Sequence, residues 1–160
     1  MNESRFKTMR HIETVRNYLN AVIKDFIWRG ERHDQTKLES PEVEIFETYT
    51  SKLRNCTYGS DEYKQNIREM QVAITHHNAH NSHHPEFYEN GINGMTLMDL
   101  LEMICDWKAA TMRHNDGDIY RSLEINQERF GYSDELKNIM LNTVKYIEDN
   151  MDVKHKAHES

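Results

Sequence analysis

The chain has 160 residues, a length that suits one domain with a single helical core. Charged residues make up 29% of it and apolar ones 37%, with only six glycines and two prolines, a balance that favours helices over a strand-and-turn architecture. A formal charge of −7 argues against bulk nucleic-acid binding, although a local basic patch can still hold one phosphate.

The first predicted helix runs from about Arg5 to Trp28, where Ile12, Val15, Leu19, Val22, Ile23 and Phe26 recur at helical spacing as one stripe. His11 falls on the edge of that stripe. "SPEVE" opens the second helix, with Ser40 as N-cap, Pro41 at the first helical position and acids in the first turn. Val43, Phe46, Tyr49 and Leu53 give its buried side, and Gly59 breaks it. Ser60 caps a third helix that carries Ile67, Met70 and Ile74 inward.

The fourth starts at "MTLMDLLEM", where Thr96 and Asp99 form a capping box, and continues to about Met112. "RHNDGD" is a loop. A further helix spans Ile119 to Phe130 and stops at Gly131. Ser133 caps the last, whose stripe is Leu136, Ile139, Met140, Val144, Ile147 and Met151. The tail, 152–160, has no periodicity and is expected to fray. The array predicts an all-α fold of five to seven helices, with one domain over 1–151. Cys56 and Cys105 lie far apart in sequence and outside any CxxC, which predicts buried free thiols in a reducing compartment. No segment is apolar enough to span a bilayer, so a cytoplasmic protein with no membrane partner is expected.

Three stretches carry residues suited to chemistry. In "RHDQTK" the adjacent His33 and Asp34 offer an imidazole nitrogen and a carboxylate oxygen, donors that suit Zn, Fe or Mn. A loop cap is the plain alternative for such a dipeptide. "AITHHNAHNSHHPEF" holds five histidines. His77 continues the Ile67, Met70, Ile74 face and is predicted to point inward. His76 lies one step around the helix, and His80 faces solvent. Pro85 disfavours helix at His84, which places His83 and His84 on an extended or turn segment. Each of these histidines taken singly can also be a hydrogen-bonded structural residue. On the fourth helix Asp99, Glu102 and Asp106 share one face. A solvated acidic stripe is the plain alternative, but Trp107, Ala109 and Ala110 predict packed surroundings in which Asp106 needs a partner such as a metal. "NDGD" lacks the spacing of a calcium loop, and "HHNAH" lacks the glutamate of the helical zinc-protease motif.

Taken in order, His11, His33-Asp34, His77, His83-His84 and Asp106 resemble the ligand order of the HD-domain superfamily of metal-dependent phosphohydrolases. "HDQTK" looks like the HDxGK of the cyclic-dinucleotide phosphodiesterase branch, and "HHPEFYENGING" followed by "LLEMICDWKAAT" looks like its paired-histidine segment and late-aspartate helix. Thr36 stands where that branch has glycine, and the Gly-Tyr-Pro signature is absent. From about Arg10 to Thr143 the chain is also similar to a family of small uncharacterised bacterial and phage proteins, through "TYGSDEY", "HHPE", "EMICDWKAATMRH" and "SLEINQERFGY".

The HD resemblance implies an all-helical domain in which Asp34 bridges two divalent ions, Fe, Mn, Zn or Mg. His33, Asp106 and His11 would complete one ion, and His77, His83 and His84 the other. It implies hydrolysis of a nucleotide or other small phosphoester by a metal-activated water. Lys37 would contact phosphate or neutralise developing charge, Arg113 is a further substrate-binding candidate, and Glu86 or Glu102 would orient ligands. Two other functions fit the same residues: an HD-fold di-iron oxygenase, and a non-catalytic nucleotide- or metal-binding regulatory protein. The sequence leaves the oligomeric state open.

Overall fold

The computed structural model describes residues 3–56, 60–112 and 117–150. Gly59, Arg113, Met151, the side chain of Leu53 and the tail 152–160 lie outside the described residues. Those described are all-α. The helices are α1 (Glu3–Arg32), α2 (Glu42–Asn55), α3 (Asp61–Glu69), α4 (Gln71–His80), α5 (Leu97–Thr111), α6 (Ile119–Phe130) and α7 (Asp134–Asn150). Short 3-10 turns at Gln35–Leu38, Pro85–Phe87 and Gly91–Gly94 link them. Among the described residues no helix is long and apolar enough to cross a membrane. The chain divides into two compact units, Met1–His77 and Asn78–Ser160.

In the second unit three amphipathic helices share one apolar core. Met103 and Ile104 of α5, Ile119 and Leu123 of α6, and Met140 and Val144 of α7 are buried, together with Ile92 and Tyr132. Trp107 stacks on Phe130 with ring centroids 6.0 Å apart. The helix ends follow local chemistry. Thr96 and Asp99 close the capping box, Asp118 accepts from the Tyr120 and Arg121 amides, and Gly131 ends α6 at φ 66°, where a side chain would be strained. The Tyr132 hydroxyl donates to the Leu123 carbonyl, and burial pushes its phenol up to about 12. Ile139, expected in the α7 stripe, is exposed. It lies about 100° round the helix from the buried Met140, outside the arc that meets the core.

The first unit is built differently. Helix α1 has the predicted stripe but no buried residue. Phe6, Met9, Ile12, Val15, Leu19 and Ile23 are each more than 40% exposed. Helix α2 begins at Glu42, later than "SPEVE" predicts. The Glu39 carbonyl accepts from both the Glu42 and Val43 amides, so a backbone turn starts the helix and Ser40 does not. The expected third helix is two, α3 and α4, meeting at Met70. Ser60 does cap α3, accepting from the Tyr63 amide at 3.1 Å. Between α2 and α3 the Tyr49 hydroxyl donates to Glu69. Both cysteines are free thiols, but neither is buried: Cys56 is half-buried, and Cys105 is exposed because its face of α5 turns away from the Met103–Ile104 side.

Candidate functional site

Two sets of ligand-type side chains stand out, one in each unit. The first is built on the turn that follows α1. Asp34 adopts φ 59° and ψ 15°, left-handed backbone that aspartate tolerates better than most residues. The 3-10 turn Gln35–Leu38 then brings Lys37 back, and its ammonium donates to the Asp34 carboxylate. His33 Nε2 lies 3.6 Å from the same carboxylate, and His77 Nε2 of α4 approaches Asp34 Oδ1 at 3.1 Å. His77 is 3% exposed, as its helical phase predicts.

Behind His77 stands Glu42, a carboxylate with no exposed surface. Its two oxygens face His76 Nδ1 at 2.7 Å and His77 Nδ1 at 2.9 Å. The Thr36 hydroxyl donates to Glu42 Oε2 at 3.1 Å and lies 2.9 Å from His77 Nδ1. Thr36, the departure from the HDxGK pattern, thus has a local task that glycine cannot perform. Phe46, one turn beyond Glu42, meets the His77 ring edge-on, with centroids 6.4 Å apart.

The second set gathers around His83, which is 2% exposed. Its Nδ1 lies 3.3 Å from Glu102 Oε1, and a ligand-type atom of Asp106 lies within 4.8 Å of one on its ring. His84 packs beside it with centroids 4.2 Å apart and has extended backbone at φ −99° and ψ 130°, as the proline after it requires. The strand of chain that bears them is tied to α5 by Asp99, which accepts from the Ser82 and Tyr88 hydroxyls and from the backbone and side chain of Thr96. Burial pushes the Asp99 carboxyl up, but the Thr96, Tyr88 and Ser82 hydrogen bonds outweigh it and hold the group at about 2. The three acids on one face of α5 therefore divide their roles. Asp99 is structural, Glu102 faces the outer nitrogen of a histidine, and Asp106 sits near that histidine as a candidate ligand.

Other predicted site residues stand apart. His11 is exposed on α1 and is not among the ligand-type side chains that cluster in either unit. Glu86 pairs with Arg129 at 2.8 Å near the surface. His80 is exposed, as predicted. Glu42 is the residue that the sequence hides. It reads as an ordinary acid in a first helical turn, and its one signal is that it lies four residues before Phe46, on the buried side of α2.

No curated protein and no solved structure matches the chain. One family model does, over residues 1–152, and the chain belongs to that family, DUF5662, a family of unknown function.

Proposed function

We propose that the protein is a metal-dependent phosphohydrolase acting on a nucleotide or another small phosphoester. The observation that carries this reading is the meeting of Asp34 with His77 and His33 in the first unit, at 3.1 Å and 3.6 Å. Imidazole nitrogens converging on a carboxylate are a donor set suited to Zn, Mn or Fe. The outer nitrogen of His77 rests on a second carboxylate, the support that metal-binding histidines commonly have. His83, His84 and Asp106 of the second unit enter as further ligands through the HD resemblance, with Glu102 beside His83. His11 enters through the HD resemblance alone.

A divalent ion held by these residues supplies Lewis-acid polarisation of a phosphoryl oxygen and a water acidic enough to be a nucleophile near neutral pH. The chain's own residues do the rest. Neutral imidazoles leave the charge of the ions largely uncancelled, which favours a phosphate ligand. Lys37, on the Asp34 carboxylate and 5.7 Å above the Phe46 ring, keeps an ammonium beside the ligands that can pass to a phosphate oxygen.

Metal analysis of protein purified without added metal, followed by turnover of bis-p-nitrophenyl phosphate, tests this. The expected result is bound Zn, Mn or Fe and measurable hydrolysis. Asp34→Ala should lose both while keeping its helical circular dichroism. Full metal occupancy in Asp34→Ala removes Asp34 as a ligand. Two irons with an oxo-bridge absorption band and no hydrolysis favour the oxygenase, and nucleotide binding without product favours the regulatory protein.

A further inference from the structure

Glu42 has no part in the ligand order of the HD resemblance, yet it is among the most deeply buried side chains of the molecule. An ionised carboxylate has no proton to give, so every hydrogen bond it makes must be donated by its neighbour. Here the neighbours are two imidazoles, each presenting Nδ1, one to each oxygen, at 2.7 Å and 2.9 Å. The Thr36 hydroxyl adds a third donor on Oε2. A neutral imidazole carries one N–H, and with that proton on Nδ1 the lone pair is on Nε2. In His77 that nitrogen lies 3.1 Å from Asp34 Oδ1. A lone pair and a carboxylate converging at this distance are two donors to one cation.

We propose that Glu42 is a positioning residue: it fixes His76 and His77 as Nδ1–H tautomers and so turns the Nε2 lone pair of His77 toward Asp34 for a divalent cation. This rests on the metal reading above. The surrounding geometry supports the assignment. His76 and His77 are consecutive on α4, and the two oxygens of one carboxylate satisfy both rings. Phe46, on the same helix as Glu42, packs edge-on against His77 and restricts its rotation. Thr36 binds the Glu42 oxygen that His77 uses and so fixes its direction. The turn carrying Thr36 also carries Asp34, so cation ligand and supporting hydroxyl move together.

The test is a long-range proton–nitrogen correlation spectrum of the histidine rings in the 15N-labelled, metal-free full chain above pH 7.5, with assignment by His76→Asn and His77→Asn. Nδ1–H tautomers are expected for His76 and His77. Glu42→Gln offers one acceptor oxygen and one amide donor, so one ring must lose its Nδ1–H pattern. Glu42→Asp keeps the carboxylate and should restore that pattern at least in part. By calorimetry with Mn2+ alone, Glu42→Gln should bind about 10–100-fold more weakly than the wild type, with helical circular dichroism unchanged. The wild-type spectrum decides even if every variant misfolds. His77 as an Nε2–H tautomer, or as an imidazolium with both nitrogens protonated, overturns the assignment, as does Glu42→Gln with unaltered Mn2+ affinity. A wild-type chain with both Nδ1–H tautomers that binds no Mn2+ overturns the metal reading and the cation role of Glu42, and leaves the tautomer assignment standing as structural.

Discussion

The two units bury different mixtures of side chain. In the second, the most deeply buried side chains are Met103, Leu123, Met140 and Val144, each at most 1% exposed. Among the described residues of the first, Met70 and Ala73 are the buried apolar ones, while Glu42, Asn66 and His77 are the buried polar ones. The second unit is held mainly by removing apolar surface from water, a non-directional force that tolerates reshaping. The first depends more on directional hydrogen bonds around one carboxylate, which are costly when half-broken. A substitution should therefore fail for different reasons in the two units, by leaving a cavity in one and by orphaning polar atoms in the other.

The largest effect is expected in the apolar unit. Leu123→Ala removes a side chain with no exposed surface from the contact of α6 with its neighbours. It should cost about 2–5 kcal/mol in urea unfolding followed by circular dichroism. In the polar unit Glu42→Ala leaves the Nδ1 groups of His76 and His77 without their carboxylate and should cost about 3 kcal/mol. Glu42→Leu then sharpens the contrast. It fills the space but still orphans the imidazoles, so it should recover little of the loss. Full recovery would mean that the first unit is held by packing after all.

Asp99 and His83 are buried polar exceptions in the second unit, and acid should find Asp99. Its carboxyl is held at about 2 by hydrogen bonds to the charged form, below an ordinary value of 3.8. A group depressed by folding contributes stability that is complete above the unfolded value and is lost as pH falls through the folded one. The wild type should lose this contribution between about pH 4 and pH 2. Asp99→Asn, which cannot ionise, should be less stable at neutral pH and should show a flatter profile through that window. The check is urea midpoints measured from pH 6 down to pH 2. A parallel fall in both proteins would show that Asp99 does not carry the acid response.

What the sequence made legible divides along the same line. The Thr96–Asp99 capping box, the bounds of α6 and its Gly131 stop are local, since each follows from residues within a turn of one another. The phase of His77 was legible because a helical face continues from Met70. The start of α2 was not, because the Glu39 carbonyl competes with Ser40 for the same amides and nothing in "ESPEVE" reveals which wins. The break at Met70 has neither glycine nor proline to announce it. Glu42 was hidden because its partners come from 34 and 35 residues further along the chain. The acidic face of α5 was legible as a face, but its division into cap, histidine partner and candidate ligand depends on Ser82, Tyr88 and His83, which lie in the preceding segment.

The smallest effect is expected where the sequence promised a large one. Ile12 sits mid-stripe on α1, in a pattern that predicts a core face, yet it is 51% exposed. The contacts of the folded chain leave little for its side chain to lose, and alanine is the better helix former. Ile12→Ala should therefore change the urea midpoint by less than about 0.5 kcal/mol equivalent, as ordinary surface substitutions do. Leu19→Ala, two places further along the stripe and 58% exposed, should behave alike, and the pair should be additive. Exposed apolar side chains in a continuous row are nevertheless unusual for a protein surface. A loss above about 2 kcal/mol from either substitution would mean that the stripe is covered in solution, and the apparent poverty of apolar burial in the first unit would then end at α1.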